Sequence, residues 1–145
     1  MTRGNLLDLN VLIALTDEMH RHYRVTKNWL HSSGRESWGI CPLTESGYLR
    51  ITTNPAMHSG ARTLADSLAV LEDLADQPGY CYWPIADSWV KLTAPFVDRI
   101  VGHQQITDAY LLGLAIKEDG VLVTFDKGVR YLAGQEFAEH VLVLQ

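Results

Sequence analysis

Short strand-like segments alternate with helical ones along this chain, and that alternation leaves it few ways to fold. Residues 5–9 (NLLDL) read as a buried strand ending near Asp8, SWGICP as a second closed by Pro42, and YCYWP (80–84) as a third. VLVTF after the Asp119-Gly120 turn and VLVL (141–144) supply the last two. Between them the apolar spacing turns helical. NVLIALTDE follows the first strand, and a helix from His20 to about Ser32 puts Met19, Tyr23, Thr26 and Leu30 on one face before the turn SSGRES. Thr44 is the expected N-cap of a helix running to about Thr52, ended by Asn54-Pro55. Ala61 to Asp76 is amphipathic through Leu64, Leu68, Leu71 and Ala75, and Pro84 opens an irregular stretch with one or two short helices. A Thr107 N-cap leads into DAYLLGLAIKE, apolar almost all round and therefore buried. Strands that each hand over to a helix run parallel, so the fold class is α/β with a mainly parallel sheet. In such sheets ligands gather beyond the carboxyl ends of the strands.

The chain's 145 residues match one domain, taken here as 1–145. At 47% hydrophobic and 20% charged it is too apolar for disorder. No apolar run reaches the roughly 20 residues of a membrane span, and the N-terminus lacks the pattern of a signal peptide, so a cytoplasmic location is expected. Cys41 and Cys81 read as small buried hydrophobes, and Trp29, Trp38, Trp83 and Trp89 as packing residues. The net charge of −5 runs against the basic surface that usually supplies affinity for nucleic acid. Part of it comes from acids whose effect a bound cation would reverse locally.

Those acids carry the chemistry. Asp8 in LLDLNVLIAL, Glu45 in CPLTESGYLRI, Asp108 in HQQITDAYLLGLA and Asp126 in VLVTFDKG all fall at strand ends or helix starts. Singly, each has a structural explanation: Asp8 can cap a helix, Asp126 can make an Asx-turn, and Asp108 suits the dipole of a helix N-terminus. Gathered together they would repel one another, and either their pKa values rise or a cation neutralises them. Hard oxygen ligands suit Mg2+ or Mn2+. Asn10 and Thr124 neighbour these positions and could hold the carboxylates by hydrogen bonds, and Arg50 could meet a phosphate. The basic group Arg21, Arg24 and Lys27, with His20 and His22, reads first as a solvated face and second as a path for RNA or for an acidic segment of a protein partner.

The ordered set LLDLNVLIAL, CPLTESGYLRITTNP, ITDAYLLGLA and VLVTFDKG resembles the PIN-domain nucleases, in particular the VapC toxins of bacterial toxin–antitoxin pairs. The resemblance implies a three-layer α/β/α fold around a sheet of about five strands. It further implies a Mg2+-dependent (or Mn2+-dependent) endoribonuclease, with Asp8 and Asp108 as primary metal ligands and Glu45 and Asp126 completing the set. An RNA substrate, a cognate antitoxin and a homodimer are the partners it implies, and no membrane. Other readings diverge from the residues present. A haloacid-dehalogenase-like phosphatase resembles D-x-D, where this chain has Asp8-Leu9-Asn10, and a receiver domain wants adjacent acids after its first strand. The remaining alternative is a PIN-like module that binds RNA or a partner without cutting.

Overall fold

In the computed structural model, which describes residues 3–57, 62–84 and 87–145, alternation along each strand decides the architecture. The strands are β1 (Asn5–Leu7), β2 (Trp38–Gly39), β3 (Val121–Thr124) and β4 (Val141–Val143), in the order β2-β1-β3-β4 and all parallel. Leu6 pairs with Leu122 and Leu7 with Val123, and all four side chains are fully buried. Because successive side chains point to opposite faces, Leu6 and Leu122 enter one core while Leu7 and Val123 enter another. Burying each such side chain stabilises the fold by ~1.5–3 kcal/mol.

The first core is closed by α5 (Trp89–Thr93), the 3-10 segment Ala94–Arg99, α6 (Ile106–Lys117) and α7 (Gly128–Ala133), through Leu92, Phe96, Leu111, Leu112, Leu132 and their neighbours. On the other face lie α1 (Leu9–Thr16), α2 (Tyr23–Trp29), α3 (Pro42–Thr52) and α4 (Leu64–Ala75), with Leu12, Leu30, Tyr48, Leu71 and Leu74 inside. The molecule is therefore the three-layer α/β/α structure expected. Among the described residues the sheet has four strands, one fewer than expected. YCYWP does run beside β2, through a single parallel bridge from Tyr80 to Trp38 and the bonds Cys81 N to Trp38 O (2.8 Å) and Trp83 N to Ile40 O (2.9 Å). It continues the sheet by isolated bonds without a regular ladder.

Local departures have identifiable causes. Pro42 starts α3 at its first position, where a missing N–H costs nothing, and Cys41 is the cap. Thr44 is thereby carried into the first turn, buried, its hydroxyl 3.7 Å from Cys41 Sγ. Thr107 is likewise not a cap: the 3-10 turn His103–Gln105 runs straight into α6, whose N-cap is Gln105. The expected start of the fourth helix at Ala61 lies outside the described residues, as do Ile85 and Ala86; its first described cap is Thr63, which accepts from Asp66 N at 3.1 Å. The buried face of α4 is Ser67, Leu71 and Leu74, leaving Leu64 and Leu68 exposed and Ala75 outside the core. The second helix is shorter than expected and continues as a π-helical turn over Leu30–Gly34, with Met19 exposed rather than on its inner face. Cys81 is exposed; only Cys41 is a buried thiol. At Gly120 a Cβ would lie 2.5 Å from the Trp83 ring and 2.7 Å from Gly4 O, so only glycine lets β3 start beneath Trp83. No helix among the described residues is long and apolar enough to cross a membrane.

Candidate active site

Register brings the first pair of site residues together. Leu6 and Leu122 face α6, so Asp8 and Thr124, two residues further along their strands, face the same way. Thr124 Oγ1 donates to Asp8 Oδ2 at 2.8 Å, and Leu9 N donates to Oδ1 at 2.7 Å while Asp8 serves as N-cap of α1. Asp8 is 6% exposed and Thr124 fully buried. The same threonine oxygen accepts from Asp126 N at 3.0 Å, and Asp126 Oδ1 accepts from Gly128 N at 2.8 Å. Thr124 thus fixes the Asp8 side chain and the turn that carries Asp126. The capping and turn roles open to Asp8 and Asp126 in sequence are both realised, and each carboxylate oxygen keeps a lone pair for another partner.

Asp108 enters from α6, in the first turn of a helix buried from Ala109 to Ala115. Burial, then the charges of Asp8 and Asp126, push its carboxyl up to about 7. Asp8 is raised chiefly by burial, partly offset by its bonds from Thr124 and Leu9, with Asp126 adding to the rise. Asp8 and Asp108 therefore both feel the charge of Asp126, and no lysine or arginine of the chain offsets the rise at either. A depression of about 90 Å³ opens at Asp108 and Asp126, lined also by Gln104, Gln105, Gly128, Val129 and Leu132. Larger hollows of about 410 and 470 Å³ lie elsewhere, without these acids.

The other sequence candidates are placed differently. Glu45, half-buried in the first turn of α3, accepts from Tyr82 Oη at 2.7 Å. Asn10 is exposed on α1, with no side-chain hydrogen bond to the acids among the described residues. Arg50 is exposed in the last turn of α3. Five residues separate it from Glu45, about 7.5 Å of rise and roughly 140° of rotation, so the two do not face one cleft. Sequence reasoning passed over Gln104, Gln105 and Tyr82. Only their nearness to ITDAYL and the strand-like alternation of Tyr80 and Tyr82 hinted at them. It also gave no reason for the His22 ring to stack on Phe125, 4.6 Å between centroids at 28°, which brings the start of α2 against the residue preceding Asp126.

As placed, no three acid, histidine or cysteine side chains among the described residues stand close enough to grip one ion. The donor set nevertheless fits a hard divalent cation: oxygen-only, mutually repelling, and beyond the carboxyl ends of β1 and β3. Asp126 is exposed at the rim, with Oδ1 held by Gly128 N and Oδ2 unbonded among the described residues.

Parallel strands, acids at their carboxyl ends and an acidic helix start define a class, and comparison with known proteins agrees. Residues 6–135 match the PIN domain family. The chain is 42% identical over 130 residues to Ribonuclease VapC38 of Mycobacterium tuberculosis (strain ATCC 25618 / H37Rv), covering 90% of each chain. To Ribonuclease VapC39 of the same strain it is 35% identical over 121 residues, 83% of this chain and 87% of that one. The crystal structure of VapBC2 from Rickettsia felis bound to a DNA fragment from their promoter superposes with a TM-score of 0.62 at 11% identity, over 97% of this chain and 98% of that one. That last likeness is one of fold alone. The chain belongs to the PIN-domain family, and within it to the VapC ribonucleases.

Proposed function

We propose that this chain is the toxin of a type II toxin–antitoxin pair, a metal-dependent endoribonuclease whose centre is built on Asp8, Asp108 and Asp126. The carrying observation is that Asp8 and Asp126, tied together through Thr124 beyond the ends of β1 and β3, meet Asp108 in the first turn of α6; burial and those two charges push its carboxyl up to about 7. Such a cluster is stable when ionised only with a cation in it. Asp8, Asp108 and Asp126 would hold Mg2+ or Mn2+, which supplies a Lewis acid for the scissile phosphate and a water ionised near neutral pH. The chain's own work is positional. Thr124 keeps Asp8 in one rotamer, and the Asp126 turn on Gly128 N keeps the third carboxylate at the rim. Glu45, held by Tyr82, orients the attacking water, and Gln104 and Gln105 line the wall against which the RNA backbone lies.

The partners follow from the family. A cognate antitoxin covers the acidic cleft, and the toxin pairs with a second copy of itself. It works in the cytoplasm, where both RNA and antitoxin are made.

The test incubates purified protein with total cellular RNA, with Mg2+ or with a chelator, beside Asp8→Asn and Asp108→Asn. Discrete fragments carrying 5′-phosphates are expected from the unmodified protein with metal and from no other sample. Equal cleavage by the variants would assign the activity to a contaminant and end the reading.

A further inference from the structure

Helix α7 divides the acidic depression from a second hollow. Gly128, Val129 and Leu132 line the acidic side, while Lys127, Arg130, Tyr131 and Gly134 line a hollow of about 470 Å³ with Gln135 and Ala138. Arg130 and Tyr131 lie on this side of α7, with Lys127 and Gly134 at its two caps. Tyr131 is 82% exposed, far more than a packing residue. Lys127 and Arg130 are exposed, and among the described residues neither forms an ion pair. In a chain of net charge −5, two uncompensated cations flanking an exposed ring, beginning at the residue after Asp126, are a local reversal of sign.

We propose that this outer face of α7 grips single-stranded RNA beside the cleavage point, Tyr131 stacking on an unpaired base while Lys127 and Arg130 hold the phosphates either side of it. The proposal rests on the ribonuclease reading of the acidic cleft. Aromatic faces accept any base, and paired cations track a backbone without reading sequence. Position agrees: Lys127 follows Asp126 directly as the N-cap of α7, and Tyr131 is the helix's fourth residue, so the face begins at the rim of the acidic depression. A protein partner would find a small, charged and discontinuous patch here, whereas a nucleotide strand needs no more.

The experiment measures kcat and KM for a labelled single-stranded oligoribonucleotide in Mg2+ at several salt concentrations. It compares the full unmodified chain with Tyr131→Ala, Tyr131→Phe and the double variant Lys127→Ala/Arg130→Ala, with light scattering on each. Tyr131→Ala should raise KM roughly ten-fold or more at unchanged kcat, and Tyr131→Phe should restore it, because the ring and not the hydroxyl stacks. The double variant should raise KM and flatten the salt slope by about 1.4, at about 0.7 for each phosphate no longer neutralised. KM values equal to the unmodified protein's would overturn the proposal while leaving the nuclease standing. A KM change that accompanies an altered oligomeric state would assign the face to protein association and overturn it as well. An unmodified chain that cuts nothing would remove the ribonuclease reading, and this inference with it.

Discussion

The two ends of the sheet are built on opposite electrostatic plans. At the amino end, charge and hydrogen bonds close on themselves. Arg3 lies 3.2 Å from Asp119 and 3.1 Å from Glu139, which precede β3 and β4. Asn5 donates to Ser37 O at 3.0 Å, and the buried His140 ring meets Gly120 O at 2.7 Å. At the carboxyl end Asp8, Asp108 and Asp126 raise one another's energy, with no cation of the chain among the influences on Asp8 or Asp108. The amino end is spent on holding strands in register. At the carboxyl end burial and, after it, mutual repulsion disfavour the ionised acids, as expected where a protein gives up stability for function.

If the contrast is sound, its largest effect is on activity. Asp126→Asn keeps the turn acceptor Oδ1 for Gly128 N yet removes the charge. Cleavage should fall about 10³-fold or more, since Lewis-acid chemistry of this kind supplies several kcal/mol and each 1.36 kcal/mol is tenfold. Thermal melting without metal should not fall. Glu45→Gln, which keeps an oxygen for Tyr82, should lose less. Equal losses at Glu45 and Asp126 in single-turnover assays would mean that four acids, and not three, form the centre.

The second effect is a dependence on pH with a definite sign. The Asp108 carboxyl is raised from 3.8 to about 7 in the folded chain, so the native state holds a proton there that the unfolded state releases. Its unfavourable contribution is absent below about 3.8, grows as pH rises, and is complete above about 7. Asp8 acts in the same direction. In chelator, Asp108→Asn should therefore match the unmodified protein near pH 4 and be the more stable at pH 8, by denaturant titration. Mg2+ should stabilise the unmodified protein at pH 8 and Asp108→Asn much less. A stability gap that does not change with pH would break the comparison.

Much of this was legible in the chain, for reasons that also explain what was not. Asp8 and Asp126 were readable because a strand's end is marked by its last apolar residue, and Asp108 because a charge in a helix apolar all round stands out. The missed features depend on what a side chain meets from distant sequence. Ser67 is fully buried against Thr52, their hydroxyls 2.8 Å apart, and that polar pair rotates α4 away from the Leu64–Leu68 face its periodicity suggested. The caps at Thr44 and Thr107 failed because Pro42 and the 3-10 turn His103–Gln105 start those helices earlier. Arg50 was chosen for nearness in sequence, and helix geometry carries it away from Glu45.

A third effect concerns the hydroxyl that ties the acids to β3. Thr124→Val keeps the shape and leaves Asp8 Oδ2, buried, without its donor. The loss should be about 1–3 kcal/mol of stability at pH 8. It should shrink as pH falls and Asp8 takes up a proton, because the neutral carboxyl needs the donor less. Urea titrations at two pH values check it, and a loss that is the same at both would show that Thr124 matters only as packing.

The smallest effect belongs to the amino end. Arg3→Ala removes two ion pairs, but Arg3 and both partners are a third or more exposed at their side chains, Asp119 76% and Glu139 63%. Exposed pairs of this kind contribute about 0–1 kcal/mol and are screened by salt. The variant should lose at most that much at low ionic strength and nothing measurable in strong salt, with RNA cleavage unchanged. The carboxyl end should answer salt in the opposite sense and more weakly, since screening eases the repulsion there but not the burial that is the larger cause of the rise at Asp108. Raising salt without metal ought then to narrow the gap between Asp108→Asn and the unmodified chain, while it erases the gap between Arg3→Ala and the same reference from the other side. Parallel denaturation curves for the three proteins at low and high salt would show whether the two ends of the sheet differ in sign as the charges require.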